Sequence, residues 1–439
     1  MADQLLAALM FPVLFGLIFL GLPVAFALIV TAFCFSWMFF GDMAPTQLYR
    51  FVERVASNSL YAAIPLFIFM GAMLERSGIA ERLFLAMRLW LGRLPGGLAL
   101  ATISMCAIFA AGTGIVGAVE VMVGMMTIPT MMRVGYNRSL IAGTICAGGS
   151  LGTMIPPSIV VVIYASQAQL SIGALFAGVM LPGLLMVLLF LGYILARCWL
   201  RPQDGPPASV DDLDVTLGVK LWITATSVLP ALLLVVAVVG SIMAGIAAPT
   251  EAAGVGALGT ILLAIAYRRF SFAVLTQALS KSMLITAMVM FIVVGGTMFT
   301  SVFQLHGGRA LISDTVNALG LTPVQTIFLL LAVVGLLGFV LDWVSVVLIC
   351  VPIYEPLLRA AGVDPLWFGV MAIVMIQTSY LTPPMAPAIF YLKGVAPPEM
   401  TYGDMCRGVA PFVLAQLTVL LCVFFFPSLA TWLPEVMVR

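Results

Sequence analysis

The sequence predicts an all-α polytopic membrane protein made of two inverted-topology repeats, with re-entrant hairpins and broken helices. Three observations predict it. First, 63% of the 439 residues are hydrophobic and only 8% are charged, against about 25% charged in a soluble domain; the mean hydropathy is +1.19. Second, apolar stretches of about 20 residues, enough to cross a bilayer, recur along the chain. Third, a Pro-Pro pair interrupts two such stretches, LGTMIPPSIVVVIY (151–164) and TSYLTPPMAPAIFY (378–391), at matching positions. An interior proline removes a helix hydrogen bond and costs ~3 kcal/mol or more. In lipid the freed carbonyls have no water to turn to.

Taken in order, crossings read near 4–20, 22–40, 58–74, 139–168 and 173–196, then near 217–240, 250–267, 283–304, 366–396 and 408–430. The opening segment lacks a basic flank and a small-residue cleavage site, so it reads as a retained helix. Segments 97–132 and 323–358 are apolar but interrupted by glycine or a polar patch, which suits a hairpin that dips into the membrane and returns. Segment 76–93 spaces Arg76, Arg82, Arg88 and Arg93 among apolar residues, the pattern of an interfacial amphipathic helix. The only long hydrophilic stretch, RPQDGPPASVDDLDVTLGVK (201–220), holds four aspartates. It divides the chain into a first repeat, 1–200, a polar cytoplasmic linker, 201–216, and a second repeat, 217–439.

The halves align. Pro156 and Pro157 match Pro383 and Pro384 at an offset of 383 − 156 = 227, and the same offset carries Tyr164 to Tyr391, Pro129 to Pro356 and Gly135 to Gly362. Collinearity of this extent argues for an internal repeat. Each half has five crossings and a hairpin. Five is odd, so the second half enters the membrane the other way round. The arginines agree: segment 76–93 carries four, its counterpart near 304–320 only Arg309, and positive residues favour the cytoplasmic side. Both termini then lie outside. Inverted repeats with discontinuous helices mark secondary transporters, with ions and substrate near the midplane.

Other classes find little support. The net charge is +1, so there is no nucleic-acid footprint. The cysteines (Cys34, Cys106, Cys146, Cys198, Cys350, Cys406, Cys422) are scattered with no C-x-x-C pair and read as small hydrophobes. The single histidine, His306, cannot build a histidine metal site; it reads as a loop residue at the interface, with Arg309. GGSLG (148–152) is formally G-x-S-x-G, but it sits in a helical run and lacks the base an intramembrane serine hydrolase needs. There is no P-loop and no H-E-x-x-H. A channel, or a proton-coupled anion permease without a binding protein, is the other alternative.

These stretches, with GTGIVGAVEVM (112–122), APTEAAGVGAL (248–258) and LDWVSVVLICVPIYEPLL (341–358), resemble the large membrane subunit of TRAP (tripartite ATP-independent periplasmic) transporters across essentially the whole chain. The resemblance implies an inner-membrane carrier importing an organic acid on a sodium gradient, in place of an enzyme. The acid would be a carboxylate, with TSYLTPPMAPAIFYLKGVAPPE closer to the 2-oxo and monocarboxylate branch than to the C4-dicarboxylate one. It implies two partners, a periplasmic substrate-binding protein and a small four-span membrane subunit. It also implies elevator-type movement of a transport domain against a scaffold, with arms at 76–93 and 304–320. Two Na+ sites are implied. One draws on Gly112, Thr113 and Gly114 with Gly149, Ser150, Gly152, Thr153 and Pro156; the other on Asp342 and Ser345 with Thr378, Ser379, Thr382 and Pro383. Substrate would lie near Thr113, Pro157, Ser158, Ser345 and Pro384. The first tip reads GTG where many members carry a serine pair, so backbone oxygen would stand in for a hydroxyl ligand. Of the acidic residues at membrane depth, Asp342 reads as an ion-site residue, Glu120 as a hairpin cap with a proton relay as its alternative, and Glu251 as a helix cap.

Overall fold

The computed structural model describes residues 2–113, 117–207 and 215–437, and all regular secondary structure among them is helical. Eight runs of helix among the described residues are long and apolar enough to cross a membrane, and five shorter apolar helices accompany them. In the first half the order is α1 (Ala2–Phe19), α2 (Val24–Phe40), α3 (Ala44–Ala56), α4 (Ala63–Arg76), α5 (Ile79–Leu91), α6 (Gly97–Thr113), α7 (Ala118–Val134), α8 (Arg138–Ser150), α9 (Ile159–Ala168) and α10 (Ile172–Leu200). The second half holds α11 (Leu217–Val235), a π-helical turn leading into α12 (Ser241–Met243), α13 (Pro249–Ala266), α14 (Phe272–Leu305) and α15 (Gly308–Ala318). It continues with α16 (Pro323–Leu337), α17 (Trp343–Ala360), α18 (Pro365–Leu381), α19 (Pro387–Lys393), α20 (Tyr402–Phe425) and α21 (Ser428–Met437).

The expected hairpins are α6–α7 and α16–α17, the broken helices α8–α9 and α18–α19, and the arms α5 and α15. Four details differ from the sequence reading. Helix α3, APTQLYRFVERVA, is amphipathic rather than apolar, so a hydropathy window passes over it. Helix α14 starts at Phe272, 283 − 272 = 11 residues early, because its first turns carry Thr276, Gln277, Ser280 and Lys281; Ser271 caps it by accepting from the Val274 N–H at 3.1 Å. Helix α20 starts at Tyr402 instead of 408, capped by Thr401 and Asp404, and stops before Pro427, after which α21 is a separate helix. His306 is not an interfacial loop residue. Phe26 and Phe291 meet at 5.1 Å, so α2 and α14 run parallel and the turn after α14 lands on the aromatic end of α2. There His306 is fully buried, its Nε2 3.1 Å from the Phe35 carbonyl, with the Phe39 ring edge-on.

The linker begins as folded chain. Asp204 accepts from Arg197 Nε (2.9 Å) and Asn137 Nδ2 (3.2 Å), and the Gly205 carbonyl accepts from the Gly96 N–H at 2.8 Å. Residues 201–205 are thus fixed to the root of the first hairpin. Residues 208–214 lie outside the described residues.

The repeats interlock. Hairpin helix α7 packs on α19 of the second half, and α17 packs on α9 of the first. Likewise α8 packs on α20 and α10 on α18, while α4 with α13 mirrors α14 with α2. Tyr164 and Tyr354 hydroxyls meet at 3.0 Å between α9 and α17. The α8–α20 crossing is the tightest of these: a Cβ on Gly143 would overlap the Gly408 carbonyl, and one on Gly408 the Ser139 carbonyl. Inside a helix Gly→Ala ordinarily gains up to about 1 kcal/mol; here the helices would have to part. Gly408→Ala is expected to destabilise by about 1–3 kcal/mol, the usual cost of overpacking, seen as a lower midpoint in thermal unfolding of the purified chain.

Candidate functional site

The proline pairs end helices and leave acceptors without donors. Helix α8 runs out through residues 151–153, and α9 restarts after Ser158. Between them, no described group donates a hydrogen bond to the carbonyls of Met154, Ile155, Pro156 or Pro157. In the second break the carbonyls of Thr382, Pro383 and Met385 are likewise without donors, and Pro384 accepts only from the Tyr402 hydroxyl, at 3.4 Å. Both Pro-Pro bonds are cis. Nearby hydroxyls do not fill these acceptors, because each spends its single proton elsewhere. Ser150 donates to Ala147 O, Thr153 to Ser150 O and Ser158 to Thr153 O, at 2.7–2.8 Å. Thr378, Ser379 and Thr382 donate to Val374 O, Ile376 O and Thr378 O over the same distances. Their oxygens are left with lone pairs only, which is what a hard cation takes.

The two expected ion-site sets fare differently. In the first, Gly149, Ser150, Gly152, Thr153 and Pro156 are buried, as are Pro157 and Ser158 beside them. Gly112 meets Leu74 of α4, and Gly149 lies against the Glu120 side chain at the start of α7. Helix α6 ends at Thr113; Gly114 lies outside the described residues. In the second set, Asp342 is the N-cap of α17. It accepts from the Val344 and Ser345 N–H groups at 3.0 and 3.3 Å and from Ser345 Oγ at 2.6 Å. Ser379 Oγ packs against Gly338 at the end of α16. Thr382 and Pro383 are half-buried and Pro384 is exposed, so this break reaches the surface where the first does not.

A cavity of about 430 Å³ lies on the second side, beside the hairpin tip at Asp342 and the start of α19. One wall is α2 and α14 (Phe26, Ile285, Met288, Phe291); the other is the second hairpin tip with α18 and α19 (Gly338, Asp342, Ser379, Tyr380, Tyr391). No lysine, arginine or histidine lines it. Of the sequence-predicted residues only Asp342 and Ser379 reach it. Sequence reasoning did not single out Tyr380 and Tyr391 as site residues, although Tyr391 is the repeat partner of Tyr164. Its ring lies against Gly117, whose φ of +89° and absent Cβ let it approach.

Sequence reasoning also missed the contact between the two sets. Gln377 Nε2 donates to Ser150 Oγ at 3.2 Å. The pair is separated by 377 − 150 = 227, the repeat offset itself, so equivalent positions of the two halves touch where the repeats face each other. Gln416 Nε2 adds a second, longer contact to the same oxygen at 3.5 Å. Glu120 caps hairpin helix α7 by accepting from the Gly117 N–H, and Glu251 caps α13 by accepting from the Ala248 N–H at 2.9 Å, as expected.

The family profile described as tripartite ATP-independent periplasmic transporter, DctM component, matches residues 11–429. The C4-dicarboxylate TRAP transporter large permease protein of Pseudomonas aeruginosa is 32% identical over 376 residues, 85% of this chain and 86% of that one. The 2,3-diketo-L-gulonate TRAP transporter large permease protein of Escherichia coli is 31% identical over 420 residues, 95% and 96% of the two chains. Among solved structures, the YdaH transporter of Alcanivorax borkumensis, described as having an unusual topology, superposes with a TM-score of 0.61 over 89% of this chain and 91% of that one. At 16% identity this is a likeness of fold.

The tip contact can be tested directly. Gly338 has ordinary helical φ, but an added Cβ would overlap Ser379 Oγ. Gly338→Ala is expected to lower the thermal midpoint, and Ser379→Gly alone to cost about 1 kcal/mol as a helix glycine. The double variant is expected to be more stable than the sum of the two, by about 0.5–3 kcal/mol.

Proposed function

The chain belongs to the DctM-component family of tripartite ATP-independent periplasmic transporters, and on that premise we propose that it imports an organic acid by sodium-coupled symport. It is a multi-pass membrane protein and a transporter subunit, not an enzyme. In this reading it sits in the bacterial inner membrane, receives its substrate from a periplasmic binding protein and works with a small four-span subunit. Its relatives are named for a C4-dicarboxylate and for 2,3-diketo-L-gulonate; the substrate here is taken to be a small carboxylate.

The observation that carries the reading is electrostatic. The cavity presents one carboxylate, Asp342, and no cationic side chain. A carboxylate substrate about 4 Å from it would be repelled by about 4 kcal/mol at an effective dielectric of 20. Cations must offset that charge. The donor-less carbonyls of both breaks, the acceptor-only hydroxyls and Asp342 itself are hard oxygen ligands suited to sodium. Entry of the anion is then coupled to sodium. The cavity lies between α2–α14 and the α17–α19 unit, and one break is sealed while the other is open. Both features support elevator-type movement of the hairpin unit against a scaffold.

The test separates the capping role of Asp342 from its ion role. Asparagine caps helices as well as aspartate but carries no charge. Reconstituted with its binding protein and small subunit, the wild-type chain is expected to accumulate a labelled 2-oxo acid or C4-dicarboxylate only under an inward sodium gradient. Asp342→Asn is expected to fold normally and lose about tenfold or more of that uptake, the equivalent of one lost charge contact of ~1.4 kcal/mol. Uptake by the variant equal to wild type at low sodium would overturn the assignment, and equilibration of substrate without the binding protein would favour a channel.

A further inference from the structure

Helices α14 and α17 touch at one end and part at the other. At the cavity, Ile285, Met288 and Ile292 of α14 stand away from Asp342 and Val344 at the start of α17. One turn beyond Ile292 the helices meet: a Cβ added to Gly296 would overlap Leu348. About two turns further along α14, Gln304 Nε2 donates to the Pro352 carbonyl at 3.3 Å. Proline makes that acceptor. The helix donor for the Pro352 carbonyl would be the N–H four residues on, and Pro356 has none. Pro352 is 352 − 343 = 9 residues past Trp343, about 14 Å along α17 from the cavity. Arg309, at the start of arm α15, donates to Gln304 Oε1 at 3.4 Å, which turns the amide nitrogen toward α17.

A second contact lies beside the first. Tyr354, two residues past Pro352, meets Tyr164 of α9 hydroxyl to hydroxyl at 3.0 Å. Gln167, one turn beyond Tyr164 near the end of α9, donates through Nε2 to the Tyr61 hydroxyl at 2.8 Å. Ser166 hydrogen-bonds the same hydroxyl and accepts from Asn58 Nδ2 at 3.3 Å. Asn58 and Tyr61 belong to the turn between α3 and α4. There Asn58 Oδ1 accepts from the Leu60 N–H at 3.0 Å, which leaves its amide nitrogen for α9. Tyr61 is buried. Helices α9 and α17 belong to the hairpin unit; α3, α4 and α14 belong to the body on the other side of the cavity. Among the described residues, the side-chain hydrogen bonds that cross between the two bodies all lie at this end.

We infer that Gln304, Tyr61 and Asn58 form a latch that holds the hairpin unit in the arrangement that leaves the cavity open, and that must let go before the cavity closes. The inference rests on the reading that the hairpin unit moves against a scaffold. The two kinds of contact respond differently to such a movement. The packing of Leu348 on Gly296 is apolar, and with no side chain on Gly296 in the way α17 slides along α14 with little loss. A hydrogen bond is directional and is gone beyond about 3.5 Å. When the unit shifts, the Pro352 carbonyl loses its donor and has no helix N–H to fall back on, and the Tyr61 hydroxyl and the amides of Gln167 and Gln304 lose their partners. Unpaired polar groups in an apolar setting weigh against the shifted state. The latch thereby sets how often the cavity is open.

The experiment measures the distance between the two bodies in the full chain in lipid nanodiscs. Spin labels go on Ser280→Cys in α14 and Glu399→Cys ahead of α20, both exposed, with Cys34, Cys406 and Cys422 replaced by serine because they are not fully buried. Double electron–electron resonance is expected to give two distances, one for each arrangement. Tyr61→Phe removes only a hydroxyl, and Gln304→Leu removes the donor amide at similar volume. Together they are expected to shift the ratio about tenfold toward the second distance. Two distances in an unchanged ratio would overturn the latch alone; a single distance in every variant would overturn the movement and the latch with it. If these variants do not fold, a cross-link decides. Asn58→Cys with Ser166→Cys, joined by a one-carbon bis-thiosulfonate reagent, is expected to abolish uptake, and reduction to restore it; full uptake with the cross-link in place would overturn the latch. The distance ratio depends on neither the coupling ion nor the substrate, so it stands apart from the sodium-driven uptake test.

Discussion

At bilayer depth a backbone carbonyl must find a partner inside the protein or a cavity, and the architecture of this chain is arranged around the places where that rule is broken. Two proline pairs stop two helices midway and leave seven carbonyls without donors: those of Met154, Ile155, Pro156, Pro157, Thr382, Pro383 and Met385. Each break is faced by a hairpin tip, and each hairpin is braced by the broken helix of the other half, α7 on α19 and α17 on α9. The interlock at Gly143 and Gly408 and the Ser150–Gln377 bond fix the two breaks in one body.

The repeats share a plan but not an environment. The first break lies buried among α6, α7 and α8; the second has Pro384 and Met385 exposed beside a cavity that α2 and α14 close from one side. The difference arises where the α2–α14 pair meets the hairpin unit: Leu74 of α4 fills the space beside Gly112, whereas the α2–α14 wall stands away from Asp342.

Charge is scarce and used sparingly. The carboxylates of Glu120, Glu251, Asp342, Asp364 and Asp404 all accept backbone N–H groups at helix starts, where unpaired amides and the helix dipole favour an anion. For the solvent-facing ones this accounts for the residue. For Asp342 it accounts for part of it: Asp342 also faces a cavity with no cationic side chain.

Much of this was legible from sequence because it rests on local chemistry. The composition forces a helical membrane fold, the proline pairs force the breaks, and their 227-residue spacing reveals the duplication. The family resemblance places hairpin tips at GTG and LDWVS, and APTE marks a cap. Amphipathic stretches were less legible: α3 and the first turns of α14 carry too much charge for a hydropathy window, yet they form helices because one face is buried. His306 was misplaced because its burial depends on α2 lying parallel to α14. Side-chain partnerships across the repeats were invisible. Nothing in the order of residues says that Gln377 and Gln416 turn their amides to Ser150, or that Tyr380 and Tyr391 border a cavity. The sequence by itself determined where the backbone must break, because proline acts on its own turn. Only the tertiary structure decided which oxygens are left bare and which break opens, because those depend on helices hundreds of residues apart meeting at a particular distance.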